Sequence, residues 1–202
     1  MKEDFPGFHT APREAFRNYF AHLPVIETRR LILRKLRMKD AKDLFEWTSD
    51  PDVARYVLWD AHTSLRDTRA FLRYARSCYH HGAPASWGIE LRDTGKVIGT
   101  IGVIWYSPEN SSCEIGYSMS REYWNRGIMT EAARAVIDSL FRSLPLNRIE
   151  AQHDPRNPAS GRVLLKCGMK KEGVLRQRLK NKGEMVDVAL WSLLCEEHQP
   201  AH

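Results

Sequence analysis

The chain has 202 residues, with Lys+Arg 31 against Asp+Glu 25 and a formal net charge of +6. Its 43% hydrophobic and 28% charged residues exclude a disordered tract, and its length fits one domain, or one domain with an appendage. No apolar run approaches the roughly 18 residues of a membrane span, and Met1-Lys2-Glu3-Asp4 is not the start of a secretory leader. Cys78, Cys113, Cys167 and Cys195 are widely spaced without a CxxC, so a reduced, cytoplasmic protein is expected, with neither a zinc ribbon nor a disulfide frame. The modest positive balance suits a phosphorylated ligand, an acidic substrate or a ribosomal surface, and selects none of them.

Residues 1–27 read as an appendage in which Ala11 to Leu23 form a short helix with Phe16, Tyr19 and Phe20 on one side, stopped by Pro24. A single domain is expected over 28–195, with a tail at 196–202. Arg30 to Leu36 reads as a strand. Asp40 caps a short helix stopped by Asp50-Pro51, and Thr63 or Ser64 opens a longer one that ends near Gly82. Alternation at Trp87, Ile89 and Leu91, the turn Asp93-Thr94-Gly95-Lys96, a run from Val97 to Ile104 and another from Cys113 to Met119 predict an antiparallel meander. The pattern then changes. Ala133, Val136, Ile137, Leu140, Phe141 and Leu144 recur at helical spacing, and Arg148 to His153 returns as a strand, which implies a parallel pair with a right-handed crossover. Asn157-Pro158 opens another helix, Gly168 closes it, and two strands follow around Lys180 to Gly183. The fold class is mixed α/β: a mostly antiparallel sheet containing one parallel βαβ pair, with helices on both faces.

The segment Tyr123 to Ala132 joins a strand to the most periodic helix, with Gly127 at the helix mouth. The first amides of a helix have no intrahelical acceptor and its dipole is positive there, so such a mouth binds anions. A glycine chosen for geometry alone is the competing reading. The absence of a Walker lysine-serine pair and of GxGxxG argues against a nucleotide triphosphatase or dinucleotide fold.

Cys113 to Met119, Trp124 to Ala132, Asn157-Pro158-Ala159-Ser160 and Gly168-Met169 together resemble the GNAT N-acetyltransferase superfamily over residues 26–195. The opening strand Glu27 to Arg34 is similar to that of the branch acetylating ribosomal-protein N-termini, including N-terminal alanine. The family's pyrophosphate loop is Arg/Gln-x-x-Gly-x-Gly/Ala; here those positions hold Trp124, Gly127 and Met129, and only the central glycine is kept. The resemblance implies acetyl-CoA as co-substrate and no metal. It implies that the backbone of Tyr117, Ser118 and Met119 pairs with the pantetheine arm. It places the amides of Asn125, Arg126, Gly127, Ile128, Met129 and Thr130 on the pyrophosphate, and Asn157 and Ser160 by the pantetheine and sulfur.

Many family members carry a tyrosine acid seven residues after the asparagine, where this chain has Leu164. Ser160 is the replacement candidate, against a plain helix-start serine. Glu114 and Glu150 are candidate bases acting through water, against solvated strand faces or salt bridges, with Glu114 preferred. His153 reads as structural. Asp187 would hold an incoming ammonium or pair with Arg176 or Arg178, and Tyr56 and Trp59 would line the acceptor site. The basic run from Lys166 to Lys182 reads as a solvated face; a phosphate or ribosomal RNA contact is the minority reading.

Three functions compete at this level. One is acetylation of a protein or peptide N-terminal α-amine. Another is acetylation of a small amine such as an antibiotic, polyamine or amino acid. The third is an acyl-CoA-binding regulatory module without catalysis. A membrane partner is not expected, nucleic acid enters only through a ribosomal substrate, and a homodimer is left open.

Overall fold

The computed structural model describes residues 13–200. The first twelve residues of the expected appendage and the last two of the tail lie outside that range. The elements run α1 (Arg13–Ala21), β1 (Ile26–Glu27), β2 (Leu31–Lys35), α2 (Ala41–Thr48), α3 (Pro51–Ala54), α4 (Leu65–His81), β3 (Ser86–Leu91), β4 (Val97–Ser107), β5 (Ser112–Met119), α5 (Ile128–Ser143), β6 (Arg148–His153), α6 (Pro158–Lys166), β7 (Lys170–Asn181) and β8 (Glu184–Leu194). A single 3-10 turn, Met38–Asp40, precedes α2.

One eight-stranded sheet carries the fold, in the order β1-β2-β3-β4-β5-β6-β8-β7. Every adjacent pair is antiparallel except β5 and β6, which are joined by the crossover helix α5. The helical stripe read from sequence is the buried one: Ala133, Val136, Ile137 and Leu140 pack in the core, with Leu144 just beyond the helix end. Ser64 opens α4 with a capping box closed by Asp67, whose carboxylate accepts from the amides of Thr63 and Ser64 at 3.0 Å each.

Two local readings gain detail. Asp50-Pro51 does not only stop α2; Asp50 accepts from the amide of Asp52 and starts the further turn α3, since proline is suited to a first helical position. Within the expected appendage, α1 packs against the sheet. Phe16 and Phe20 are fully buried in the same core as Leu33 and Trp87, and Phe16 stacks on Tyr106 with ring centroids 4.5 Å apart. At Gly82, where α4 ends in the left-handed region, a Cβ would stand 2.3 Å from the Arg17 carbonyl oxygen, so the bare backbone also admits α1.

Candidate active site

The parallel pair is short. Pairing runs from Ser112–Arg148 to Ile115–Ala151 and then stops. Beyond that point β5 stays with β4 as far as Met119 opposite Gly99, while β6 stays with β8 through His153 opposite Ala189. The two strands therefore part, and Gly116 to Met119 face Gln152 and His153 across a gap. This opening lies beside the mouth of α5.

Two clefts of about 460 Å³ each reach this gap. Tyr117, Ser118, Met119, Trp124, Asn125, Gly127, Ile128, Met129, Thr130, Asn157 and Ser160 all line the first. Glu114, Tyr56, Trp59 and Asp187 line the second. Tyr56, Tyr117, Ser118, Gln152, His153 and Asp154 line both, so the clefts join where β5 and β6 diverge.

In the first cleft, Gly127 caps α5 at φ 70°, a left-handed conformation that glycine adopts freely. Asn125, at φ 59°, is left-handed as well. The first intrahelical bond runs from the amide of Glu131 to the Gly127 carbonyl, which leaves the amides of Ile128, Met129 and Thr130 without helical acceptors. The indole of Trp124 donates to the Met119 carbonyl at 2.9 Å. The aromatic residue at the loop's first motif position thus ties the loop to the end of β5. Arg126 was singled out for its amide; its carbonyl accepts from the Arg30 guanidinium at 3.0 Å, and its own guanidinium lies over Tyr123.

Glu131, in the first turn of α5, was not legible as a site residue. Its carboxylate accepts from Thr28 Oγ1 at 2.6 Å, from the Arg30 amide at 2.9 Å and from Arg30 Nε at 2.6 Å. These bonds hold its pKa below the ordinary glutamate value against the opposing effect of desolvation. The start of the sheet, the loop and α5 form one braced unit.

At the join, Ser160 Oγ lies 3.0 Å from the Tyr117 hydroxyl, which also donates to the Ser160 carbonyl at 3.1 Å. Burial raises the Tyr117 pKa, so the phenol keeps its proton. Asn157 caps α6 by accepting from the Ser160 amide at 3.3 Å. Leu164 is fully buried in the core, away from any acid role.

The two candidate bases separate clearly. Glu150 is bound by Arg148 at 2.6 Å, the salt bridge foreseen for it. Among the described residues Glu114 has no salt-bridge partner; its Oε2 accepts from the Trp105 indole and from Gln152 Nε2 at 3.0 Å. Desolvation raises its pKa, the two bonds offset part of that, and the charges of nearby Glu150 and Arg178 act in opposite directions, Glu150 raising it and Arg178 lowering it. Trp105 reaches Glu114 because the β4–β5 register shifts there: Val103 opposes Ile115 and Trp105 opposes Glu114, leaving Ile104 as an extra residue. Neither Trp105 nor Gln152 was named from sequence, since a bulge gives no periodic signal.

Asp187 neither stands free nor pairs with Arg176 or Arg178. Its Oδ1 accepts from the Gln177 amide at 2.8 Å, pinning a β7 bulge in which Gln177 adopts φ 48°. Tyr56 lies under the guanidinium groups of Arg55 and Arg156. Trp59 packs edge-on against Trp47 at 6.4 Å. His153 bonds the Asp154 carbonyl through Nδ1 at 2.8 Å, while its Nε2 is buried without a partner against Gly161. Burial lowers its pKa, which favours the neutral ring.

A family model for the acetyltransferase (GNAT) domain matches residues 30–170. The chain is 36% identical to the uncharacterized N-acetyltransferase p20 of Bacillus licheniformis over 87% of this chain and 99% of that protein. It is 26% identical to the [ribosomal protein uS5]-alanine N-acetyltransferase of Escherichia coli, over 90% and 97% of the two chains. Among solved structures, the microcin C7 self-immunity acetyltransferase MccE, in complex with acetyl-CoA and AMP, shares the fold at a TM-score of 0.76 and 20% identity, over 83% of this chain and 93% of that one. The parted strands, the glycine-capped helix and these matches have one explanation: the chain belongs to the GNAT family of N-acetyltransferases.

Proposed function

We propose that the protein moves the acetyl group of acetyl-CoA to the α-amine at the N-terminus of a peptide or protein, with a ribosomal protein as the acceptor class. The observation that carries this reading is the meeting of two clefts at the gap between β5 and β6. A thioester held in one and an amine held in the other would face each other there.

The residues of the first cleft fit acetyl-CoA. The unpartnered amides of Ile128, Met129 and Thr130 suit a pyrophosphate, and the β5 edge freed by the departure of β6 suits an extended amide-bearing arm. Acetyl-CoA supplies the activated acyl group. Glu114, deprotonated, takes the amine's proton directly or through one water. As the N–C bond forms and the C–S bond breaks, one proton passes overall from nitrogen to sulfur. Ser160 Oγ, 3.0 Å from the Tyr117 hydroxyl, gives its proton to the departing sulfur and regains one through water from Glu114, which restores both groups. Glu114 also attracts the incoming ammonium before it is deprotonated.

The preference for an α-amine follows from the base. At about pH 7 an α-amine, with pKa about 7.7–8.0, costs about 1.2 kcal/mol to deprotonate, whereas a lysine amine costs about 4.6 kcal/mol. A single carboxylate held by two neutral donors can serve the first and serves the second poorly. The uS5-alanine acetyltransferase among the relatives supports the same acceptor class. The test uses one peptide with a free N-terminus and no lysine, and one with a blocked N-terminus and a single lysine. Fragmentation mass spectrometry locates the acetyl group. Faster acetylation of the lysine peptide would overturn the reading.

A further inference from the structure

We infer that the acceptor carries a bulky apolar group beside its reactive amine, and that the second cleft is shaped to hold that group. The inference rests on the reading above in taking this cleft as the acceptor's. Its basis is where the protein leaves large apolar side chains in water. Leu58 is 64% exposed, Tyr74 68% and Ile104 57%, and all three line this cleft. Single exposed apolar residues are ordinary, but several around one concavity mark a contact surface.

The walls agree with that. Trp59 and Phe71, both partly buried, flank the ring of His62, with centroids 5.8 and 6.4 Å away. His62 is fixed by a 2.9 Å bond between its Nδ1 and Thr68 Oγ1. On the sheet side, Ile104 is the extra residue of the β4 bulge and lies against Gly116, where a Cβ would stand 2.8 Å from Ile104 Cδ1. Val186 and Val188 of β8 add to the same lining. The charged exceptions are few. Asp154 is paired with Arg156 and Asp187 has one oxygen bound by the bulge amide, while Glu114 is held by Gln152 at the join. Among the described residues, no lysine or arginine lines this cleft. The arrangement is a negative point at one end and apolar walls beyond it, which matches a cationic amine with a hydrophobic substituent. At about 460 Å³ the cleft has room for a side chain well beyond a methyl group.

The experiment compares matched acceptors in two arms, with released CoA as the readout. One arm uses peptide amides that differ only in their first residue, Leu against Ala and Phe against Ser. The other uses phenethylamine against ethanolamine. The apolar member should have at least a tenfold higher kcat/KM in whichever arm reacts. Tyr74→Ser and Ile104→Ser should each reduce that ratio threefold or more. Equal rates, or a faster polar member, in every reacting arm would overturn the inference, as would an unchanged ratio in both variants. Should neither arm release CoA, titration calorimetry of the same pairs into CoA-loaded protein reads the ratio as affinities, judged by the same threshold. Reaction confined to the free amines would sink the peptide reading and leave this one standing.

Discussion

Gly127 offers a clean test of the donor site, because its conformation and its surroundings pull apart. Its φ of 70° disfavours a Cβ, yet the nearest heavy atom to such a Cβ is Arg30 Nη2 at 3.7 Å, so there is space for a side chain. Asparagine and aspartate both tolerate the left-handed region and are nearly the same size. Gly127→Asn therefore reports backbone strain and bulk, and Gly127→Asp adds one negative charge to the same shape. A unit charge about 6 Å from one phosphate charge costs roughly 0.7 kcal/mol at water's dielectric and roughly 2.8 kcal/mol at an effective value near 20. The site is open on one side, so a penalty near 1.4 kcal/mol is expected, about tenfold in Kd between the two variants. Calorimetric titration with acetyl-CoA at low ionic strength reads that ratio, and added salt should shrink it. Equal affinities for the Asn and Asp variants, both folded, would refute pyrophosphate binding at this helix mouth.

Glu114 carries a prediction in two parts. Its pKa is raised by burial, so the folded state holds its proton more tightly than the unfolded chain, and its contribution to stability falls as pH rises through that raised value. Glu114→Gln should then raise the melting temperature at pH 8 and leave it nearly unchanged at pH 4, while cutting kcat at least tenfold and removing the part of the pH–rate rise that belongs to the carboxylate, leaving that of the acceptor amine. A variant that is slower but keeps the wild-type pH profile would move the base elsewhere. Ser160→Ala should lower kcat far more than it raises the KM for acetyl-CoA; a kcat within about twofold of wild type, with chemistry limiting, would reduce Ser160 to a helix-start residue. Phe16→Ala should cost about 3–5 kcal/mol in urea denaturation, as for a fully buried aromatic, and a cost below about 1 kcal/mol would mean α1 is dispensable to the core.

The elements visible in the sequence are those with strong punctuation. Ser64 and Gly82 bracket α4, Asn157-Pro158 opens α6, and the apolar stripe of α5 is the buried face. Less visible were features created by register. The shift at Ile104 brings Trp105 onto Glu114, and the shift after Leu175 lets Asp187 bind the Gln177 amide; both juxtapose residues about ten apart in ways no alternation predicts. The bracing of Glu131 by Thr28 and Arg30 spans about a hundred residues, so only the folded sheet reveals it. The packing of α1 was hidden for a different reason: an amphipathic segment before a proline looks alike whether it covers this core or another surface.

The gap between β5 and β6 also gives the sheet an unfinished rung. An extended ligand lying along Tyr117 to Met119 would supply the missing partner, so occupancy and sheet continuity become a single equilibrium. Slower amide exchange confined to the end of β5, together with a melting temperature that climbs with donor concentration, would be its signature. Recognition through main-chain atoms would leave the side chains of that strand to other tasks. Tyr117 turns its hydroxyl to Ser160, and Ser118 borders both clefts. Substitution of Ser118 could therefore retune the acceptor while the donor stays seated, whereas a change at Tyr117 would also disturb Ser160.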